Sequence, residues 1–141
     1  MYLLDTTTVS DFIRGDRSIL EKLTTISRNW IYITSITKFE IEYGLVKKPE
    51  LRSRIYDPIQ TLYQSVGDLP FDTAVVPVAS SIKYSLKSNG LEIGIADLLI
   101  GAIAVHHDLI VVTSNVKHFE KIEGLTIENW REASPPKPRN S

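Results

Sequence analysis

Three carboxylates stand out because each lies beside an apolar segment of the chain. Asp5 directly follows the apolar run Tyr2–Leu4 and precedes three threonines. Glu40 comes shortly after the strand-like segment 30–34, and Asp97 is the only charged residue of a long apolar run. Ligands of open parallel sheets bind beyond the carboxyl ends of the strands. We therefore expect the fold to bring these three carboxylates together to hold a metal ion.

The predicted ligands are hard oxygen atoms, and the chain contains no cysteine. This combination favours Mg²⁺, with Mn²⁺ also able to support activity, over Zn²⁺. We expect Asp5 and Asp97 to be the metal ligands. An ion held in this way can polarise a phosphate and lower the pKa of an attacking water, which is the chemistry of phosphodiester hydrolysis.

Each acid also has a purely structural interpretation. Asp5 fits an Asx-turn or the N-cap of a following helix. Glu40 and Thr37 fit a capping box, in which two side chains satisfy each other's backbone donors. Asp97 can cap the apolar helix in which it lies. Burying a carboxylate among apolar residues is otherwise costly, so Asp97 is the hardest to explain without a cation.

The three histidines are weaker signals. His106 and His107 end the apolar segment, where imidazolium would interact favourably with the helix dipole. His118 comes shortly after Asn115 and is placed near the site by sequence alone. Catalysis by a Ser-His-Asp triad has no supporting motif.

The length and composition of the chain predict one domain without covalent cross-links. A chain of 141 residues can bury roughly two-thirds of the surface that its unfolded form exposes. The absence of cysteine excludes disulfides, iron-sulfur clusters and thiol nucleophiles. The chain starts without a basic leader, and its longest apolar run is shorter than the roughly 20 residues of a membrane span. We therefore expect a cytoplasmic protein with no membrane segment.

Alternating strand and helix patterns predict a three-layer α/β/α domain over residues 1–130, with a mostly parallel central sheet. Residues 131–141 are predicted to be a disordered tail. Helix starts are placed from capping residues, and strands from apolar and β-branched runs. The predicted strands are Tyr2–Leu4, 30–34, 67–71, 109–113 and 125–127. The predicted helices are 9–14 after Thr8, 18–28 with a capping box at Ser18 and Glu21, 37–45, 49–66 kinked or split at Pro58, 73–89 after Asp72, and Ile95–His107.

Four short motifs together resemble PIN-domain ribonucleases, specifically the VapC-type toxins of toxin-antitoxin pairs. They are Leu3-Leu4-Asp5-Thr6, Ser35-Ile36-Thr37-Lys38-Phe39-Glu40-Ile41-Glu42-Tyr43-Gly44, Ile95-Ala96-Asp97 and Val112-Thr113-Ser114-Asn115-Val116-Lys117-His118-Phe119. The resemblance covers almost the whole chain. It implies a Mg²⁺-dependent endoribonuclease that forms a homodimer and is inhibited by a VapB-like antitoxin inserted into its active groove.

The resemblance also implies site residues. Asp5, Glu40 and Asp97 match the acidic positions of the family, and Asn115 occupies a fourth position where many PIN domains have aspartate. An amide oxygen can accept a hydrogen bond from a metal-bound water but adds no charge, so Asn115 disfavours a second metal ion, and the sequence leaves one or two ions open. Thr6 and Thr113 are expected to orient the acids or metal-bound waters.

RNA contact is expected at basic side chains near the acids: Arg14, Lys47, Lys48 and Arg52. A net charge of −1 gives the whole molecule no strong electrostatic attraction for RNA, so RNA binding depends on such a local basic patch. A catalytically silent PIN module that binds RNA or protein is the alternative function, motivated by Asn115. A phosphohydrolase with Asp5 as nucleophile is disfavoured, because such enzymes typically have a second aspartate where this chain has Thr7.

Overall fold

A computed structural model describes residues 1–131, which form a five-stranded parallel sheet with helices on both faces. The strand order is β3-β2-β1-β4-β5, so the first strand of the chain is central. The strands are β1 (Tyr2–Leu4), β2 (Ile31–Thr34), β3 (Gly67–Leu69), β4 (Ile110–Val112) and β5 (Ile127–Glu128). The helices are α1 (Thr6–Ile13), α2 (Arg17–Thr25), α3 (Ser35–Lys47), α4 (Pro49–Ser65), α5 (Val76–Ser88), α6 (Ile95–His107) and α7 (Val116–Phe119).

Alternation of side chains along the strands creates the three layers. Leu4 and Val112 face one side of the sheet, where they join buried residues of α1 to α4. Leu3 and Val111 face the other side and pack with α6 and α7. Because successive strand residues point to opposite faces, a strand covered on both faces must be apolar throughout. The predicted three-layer fold with a parallel sheet is confirmed.

Two helices begin directly at the ends of strands, earlier than predicted. The Asp5 carboxylate accepts a hydrogen bond from the Thr8 backbone N–H at 2.9 Å and caps α1. The Thr34 hydroxyl accepts from the Thr37 N–H at 3.1 Å and caps α3. The prediction of Thr8 as a cap was therefore wrong, because the preceding acid takes that role and the threonines enter the first turn.

The predicted cap of α2 was wrong, and the predicted split of α4 at Pro58 does not occur. Asp16 caps α2 by accepting from the Ile19 N–H at 3.1 Å, while the Ser18 hydroxyl donates to the distant Trp130 carbonyl. Helix α4 runs without a break through Pro58, although proline removes one backbone hydrogen bond. The predicted cap of α5 by Asp72 was also wrong, because a 3-10 turn (Thr73–Val75) follows Asp72 and α5 begins only at Val76. The remaining differences are shifts of strand and helix ends by a few residues and the unpredicted short helix α7.

The last described residues close the fold over its beginning. The Trp130 ring is buried and meets the Tyr2 ring edge-on, with 5.2 Å between centroids. The Arg131 guanidinium lies 3.4 Å from the buried Asp11 carboxylate. Residues 132–141, most of the predicted disordered tail, lie outside the described residues. Across residues 1–131, every helix is too short or too polar to cross a bilayer.

Candidate active site

The carboxyl ends of β2, β1 and β4 lie side by side because these strands are neighbours in a parallel sheet. Asp5 follows β1, Thr113 follows β4, and Glu40 lies in the second turn of the helix that follows β2. The topology therefore brings together residues that are far apart in the sequence at one edge of the sheet, as the position of Asp5 predicted.

Asp5 is buried, with 1% of its surface exposed. Its Oδ1 accepts from the Thr7 hydroxyl at 2.8 Å and from the Thr8 N–H. Burial raises the pKa of the Asp5 carboxyl above the ordinary value of 3.8, and hydrogen bonds from Thr113, Thr8 and Thr7 oppose part of this shift. The fold thus keeps a carboxylate where its charge is costly and surrounds it with donors, as expected of an acid held for a cation.

Glu40 is held by hydroxyl groups. The Thr6 hydroxyl donates to Glu40 Oε1 at 2.5 Å and lies 3.1 Å from the buried Thr37 hydroxyl. These contacts join the start of α1 to the first turns of α3. Glu40 is therefore oriented by the residue next to Asp5, and Thr6 has the orienting position that the resemblance implies for it.

Thr7 links Asp5 to the end of β4. Its hydroxyl donates to Asp5, accepts from the Ser114 N–H at 3.1 Å and lies 3.4 Å from the Thr113 hydroxyl. The Thr113 hydroxyl in turn accepts from the Asn115 N–H at 2.8 Å. A chain of hydroxyl contacts therefore runs from Asp5 to Asn115.

Asp97, Asn115 and His118 form a second cluster. Asp97 Oδ2 lies 2.8 Å from His118 Nδ1 and 3.3 Å from Asn115 Nδ2. Asp97 lies in the first turn of α6, but it does not cap the helix, because Gly94 is the N-cap residue. The expectation that His118 lies near the site is confirmed by its contact with Asp97.

The donor atoms fit a hard dication with few protein ligands. Asp5 and Asp97 offer carboxylate oxygens, and the neighbouring side chains are hydroxyls, the Asn115 amide and the His118 imidazole. Within residues 1–131, no three Asp, Glu, His or Cys side chains lie close enough to hold a metal ion together, so Asp5, Glu40 and Asp97 do not converge as a three-carboxylate site. Mg²⁺ in proteins commonly has one or two carboxylate ligands and keeps several waters, so it does not require a third carboxylate.

A groove of about 470 Å³ extends from Glu40 and Thr6 between α1, α3 and α4. Its floor is apolar, and three of the four predicted RNA-binding residues line it: Arg14, Lys47 and Lys48. Arg52 is not among the lining residues. It pairs with Glu42 at 2.6 Å and covers the Tyr56 ring at 5.4 Å.

Sequence reasoning missed the roles of Thr7 and Thr37. The only local signal for Thr7 was the run of three threonines after a strand-end acid, and Thr37 was considered only as part of a cap. It also missed Asp11, a buried carboxylate of α1 that pairs with Arg14 and Arg131. Arg14 therefore has a structural partner in addition to its position at the groove.

Comparison with known proteins agrees with this geometry. Residues 2–125 match the family described as PIN domain. The chain is 32% identical over 131 residues to "Ribonuclease VapC2" of Haemophilus influenzae, and 28% identical over 131 residues to "tRNA(fMet)-specific endonuclease VapC" of Salmonella typhimurium. Each alignment covers 92% of this chain and 97% of the relative. The solved structure of VapBC2 from Rickettsia felis bound to a promoter DNA fragment superimposes with a TM-score of 0.84 at 27% identity, covering 92% of this chain and 98% of that one.

Proposed function

This chain belongs to the PIN domain family, among the VapC ribonucleases, and we propose that it cleaves RNA phosphodiester bonds as the Mg²⁺-dependent toxin of a toxin-antitoxin pair. The observation that carries the metal-dependent part is Asp5, a buried carboxylate at the carboxyl end of the central strand. Its hydroxyl neighbours connect it to Glu40 on one side and to Asn115 on the other. Packing alone gives no reason to bury a charge there.

A dication bound by Asp5 and Asp97 would supply electrophilic stabilisation of the phosphate and a water of lowered pKa. The chain's own residues then fix the geometry. Thr7 and the Thr8 N–H hold Asp5 Oδ1. The Thr6 hydroxyl donates to Glu40 Oε1, and this contact supports a role for the Glu40 carboxylate as the acceptor of a proton from the attacking water.

The groove is lined by both basic and apolar side chains, which suit two different kinds of ligand. Lys47 and Lys48 offer charge to RNA phosphates, while the apolar floor offers contact area to a protein segment. We propose that RNA and a VapB-like antitoxin compete for this groove, which ends at Glu40. Binding of either one excludes the other from the acids.

Asparagine substitution tests the metal site. Asp5→Asn and Asp97→Asn each remove a charge from the ligand set but keep the shape of the side chain, so we expect each to reduce cleavage by about 100-fold or more. The measurement is chelator-sensitive cleavage of total RNA across a Mg²⁺ and Mn²⁺ titration. Asp57→Asn, on the exposed side of α4, is the matched control and should retain full activity.

Thermal melting separates loss of the site from loss of the fold. Asparagine caps a helix about as well as aspartate, so Asp5→Asn should remain folded, and Asp97→Asn should remain folded because Asp97 does not cap α6. Full activity in both site variants would contradict the metal site. Absence of cleavage by the wild-type protein under all conditions, with RNA binding intact, would favour the silent module.

A separate prediction concerns RNA binding by the basic residues of the groove. Lys47→Ala with Lys48→Ala should weaken RNA binding and lower the salt dependence of the binding constant by about two counterions, because each lysine neutralises one phosphate. Arg52→Ala is the comparison variant, since Arg52 lies outside the groove lining and pairs with Glu42. Equal salt slopes for the wild type and the double variant would show that the two lysines are only solvated surface.

A further inference from the structure

Two arginines share one buried carboxylate on α1. Asp11 is 2% exposed, and its Oδ1 pairs with Arg14 Nη2 and lies 3.4 Å from Arg131 Nη2. The side chains of Arg14 and Arg131 are 63% and 51% exposed. Because both guanidinium groups meet the same oxygen atom, they lie close enough together for one anion from solution to contact both.

A structural clamp explains only one of the two arginines. Arg131 joins the last described residues to α1, whereas Arg14 lies three residues after Asp11 on the same helix, so its pair with Asp11 joins no distant segment. Asp11 Oδ2 is buried without a hydrogen-bond partner within residues 1–131, so Oδ1 alone serves both arginines. A guanidinium has five N–H donors and keeps its charge. The three side chains therefore carry a net charge of +1 and offer more donors than Asp11 can accept.

The arginine pair lies along α1 from the acids of the site. Helix α1 begins at Thr6, which donates to Glu40, and its C-cap residue Arg14 lines the groove. Eight residues of helix span roughly 12 Å. An anion between the two arginines is therefore too far from the acids to be the phosphate that is cleaved. Lys47 and Lys48 line the same groove, and this continuous positive charge suits a polyanion better than a single carboxylate.

We propose that Arg14 and Arg131 together bind a backbone phosphate of RNA that is remote from the cleaved bond, and that Asp11 is the positioning residue that orients both arginines. The inference rests on the proposed function and adds a phosphate position to it. Arginine suits this role because its planar guanidinium can donate two parallel hydrogen bonds to a phosphate. A side chain that is already held in place by Asp11 loses less entropy when RNA binds.

RNA binding without cleavage tests the site. In chelator, fluorescence anisotropy of a labelled single-stranded RNA gives the affinity and its salt dependence. Arg131→Gln should weaken binding by about fivefold or more and reduce the salt dependence, because it removes a charged phosphate contact. Arg131→Lys should keep the salt dependence but recover only part of the affinity, because lysine lacks the planar fork. Arg54→Gln, on an exposed part of α4 outside the groove lining, is the matched control and should bind like the wild type.

Asp11→Asn separates positioning from simple charge neutralisation. The substitution removes the negative charge of the cluster and leaves both guanidinium groups charged. A positioning role predicts that RNA binding weakens by about threefold or more while its salt dependence does not fall. If Asp11 only neutralised the arginines or held the chain end, the same variant would bind RNA equally well or more tightly. Thermal melting shows whether the variant is folded, and the Arg131 variants test the phosphate site independently of it.

Steady-state cleavage gives a second readout. A remote phosphate contact is made equally in the ground state and the transition state, so Arg131→Gln should raise KM and leave kcat unchanged. Unchanged RNA affinity in folded Arg14→Gln and Arg131→Gln would overturn the proposal, and tighter RNA binding by Asp11→Asn would overturn the positioning role. A wild-type protein that binds RNA through this pair but does not cleave it would support the site and contradict the ribonuclease function, so the two failures are distinguishable.

Discussion

Asp5 combines a structural role with a chemical one. It accepts the first-turn N–H of α1, as any good N-cap does, yet its burial makes the ionised carboxyl unfavourable. Capping alone would be served by a neutral side chain. The unfavourable free energy of burying an ionised carboxyl is therefore what distinguishes a metal ligand from a simple helix cap at this position.

The raised pKa of Asp5 gives a stability test in the metal-free protein. The folded state binds the Asp5 proton more tightly than the unfolded state, so this contribution to stability is present below about pH 3.8 and is lost as the pH rises through the higher folded-state pKa. Asp5→Asn is neutral throughout. In chelator, it should melt at a higher temperature than wild type near pH 7, and the gap should close as the pH falls to the ordinary aspartate value.

Thermal melts across this pH range measure the effect, and exposed Asp57→Asn serves as the control. Added Mg²⁺ should stabilise the wild type and not Asp5→Asn, because only the wild type retains the full ligand set. A difference in melting temperature that does not vary with pH would contradict the assigned cause.

The three acids could be predicted from the sequence, but most of their hydrogen-bond partners could not. Asp5, Glu40 and Asp97 could be selected because each interrupts or follows an apolar run. Thr7 and Thr37 are ordinary helix residues by local pattern, and their importance comes from contacts with residues distant in the chain. Such contacts are set by strand order, which local periodicity does not encode.

Helix α4 shows the same limit at the level of an element. Its apolar spacing was identified correctly, but Pro58 was expected to kink or split it. Buried Ile59 and Leu62 hold the following turns against the core, so packing outweighs the cost of the missing hydrogen bond. Strands were easier to place than helix ends, because apolar β-branched runs locate a strand whereas caps depend on which of several polar residues reaches the backbone.

Pro58→Ala should therefore stabilise the protein. It restores a backbone donor within α4, and an interior proline costs about 3 kcal/mol relative to alanine. The greater freedom of alanine in the unfolded chain offsets up to about 1 kcal/mol of that gain. Urea denaturation should show a higher midpoint with an unchanged slope, and exposed Ser53→Ala in the same helix is the control. A lower midpoint would mean that α4 already accommodates the proline without strain.

On the scale of the whole molecule, one face of α3 is exposed and apolar. Phe39, Tyr43 and Val46 are spaced at helical intervals, and their exposed fractions are 71%, 56% and 66%. Exposed apolar patches on a helix commonly mark interaction surfaces. This face is a surface on which the homodimer that the sequence predicts can be tested.

Phe39→Glu should weaken self-association by at least about 10-fold, because it places a charge within an apolar contact. Sedimentation analysis over a range of protein concentrations measures the change, and melting curves verify folding. Leu20→Glu, an exposed apolar position on α2, is the control. A wild-type protein that sediments as a monomer throughout, or a variant that dimerises equally well, would exclude this face.

The central position of β1 has a consequence for synthesis on the ribosome. Asp5 is made before both neighbours of its strand, because β1 precedes β2 and β4 in the chain but lies between them in the sheet, and β4 ends at Val112. A nascent chain cannot pair β1 with β4 until β4 has left the ribosomal exit tunnel. Residues 97 and 115 lie on either side of β4 in the chain, so they become available at about the same stage of synthesis. Folding during translation ordinarily proceeds from the N-terminal side, but here β1 cannot complete its pairing before β4 has been made. A working nuclease therefore cannot form before β4 has been made, so a ribosome that is still translating the segments ahead of β4 is not exposed to one.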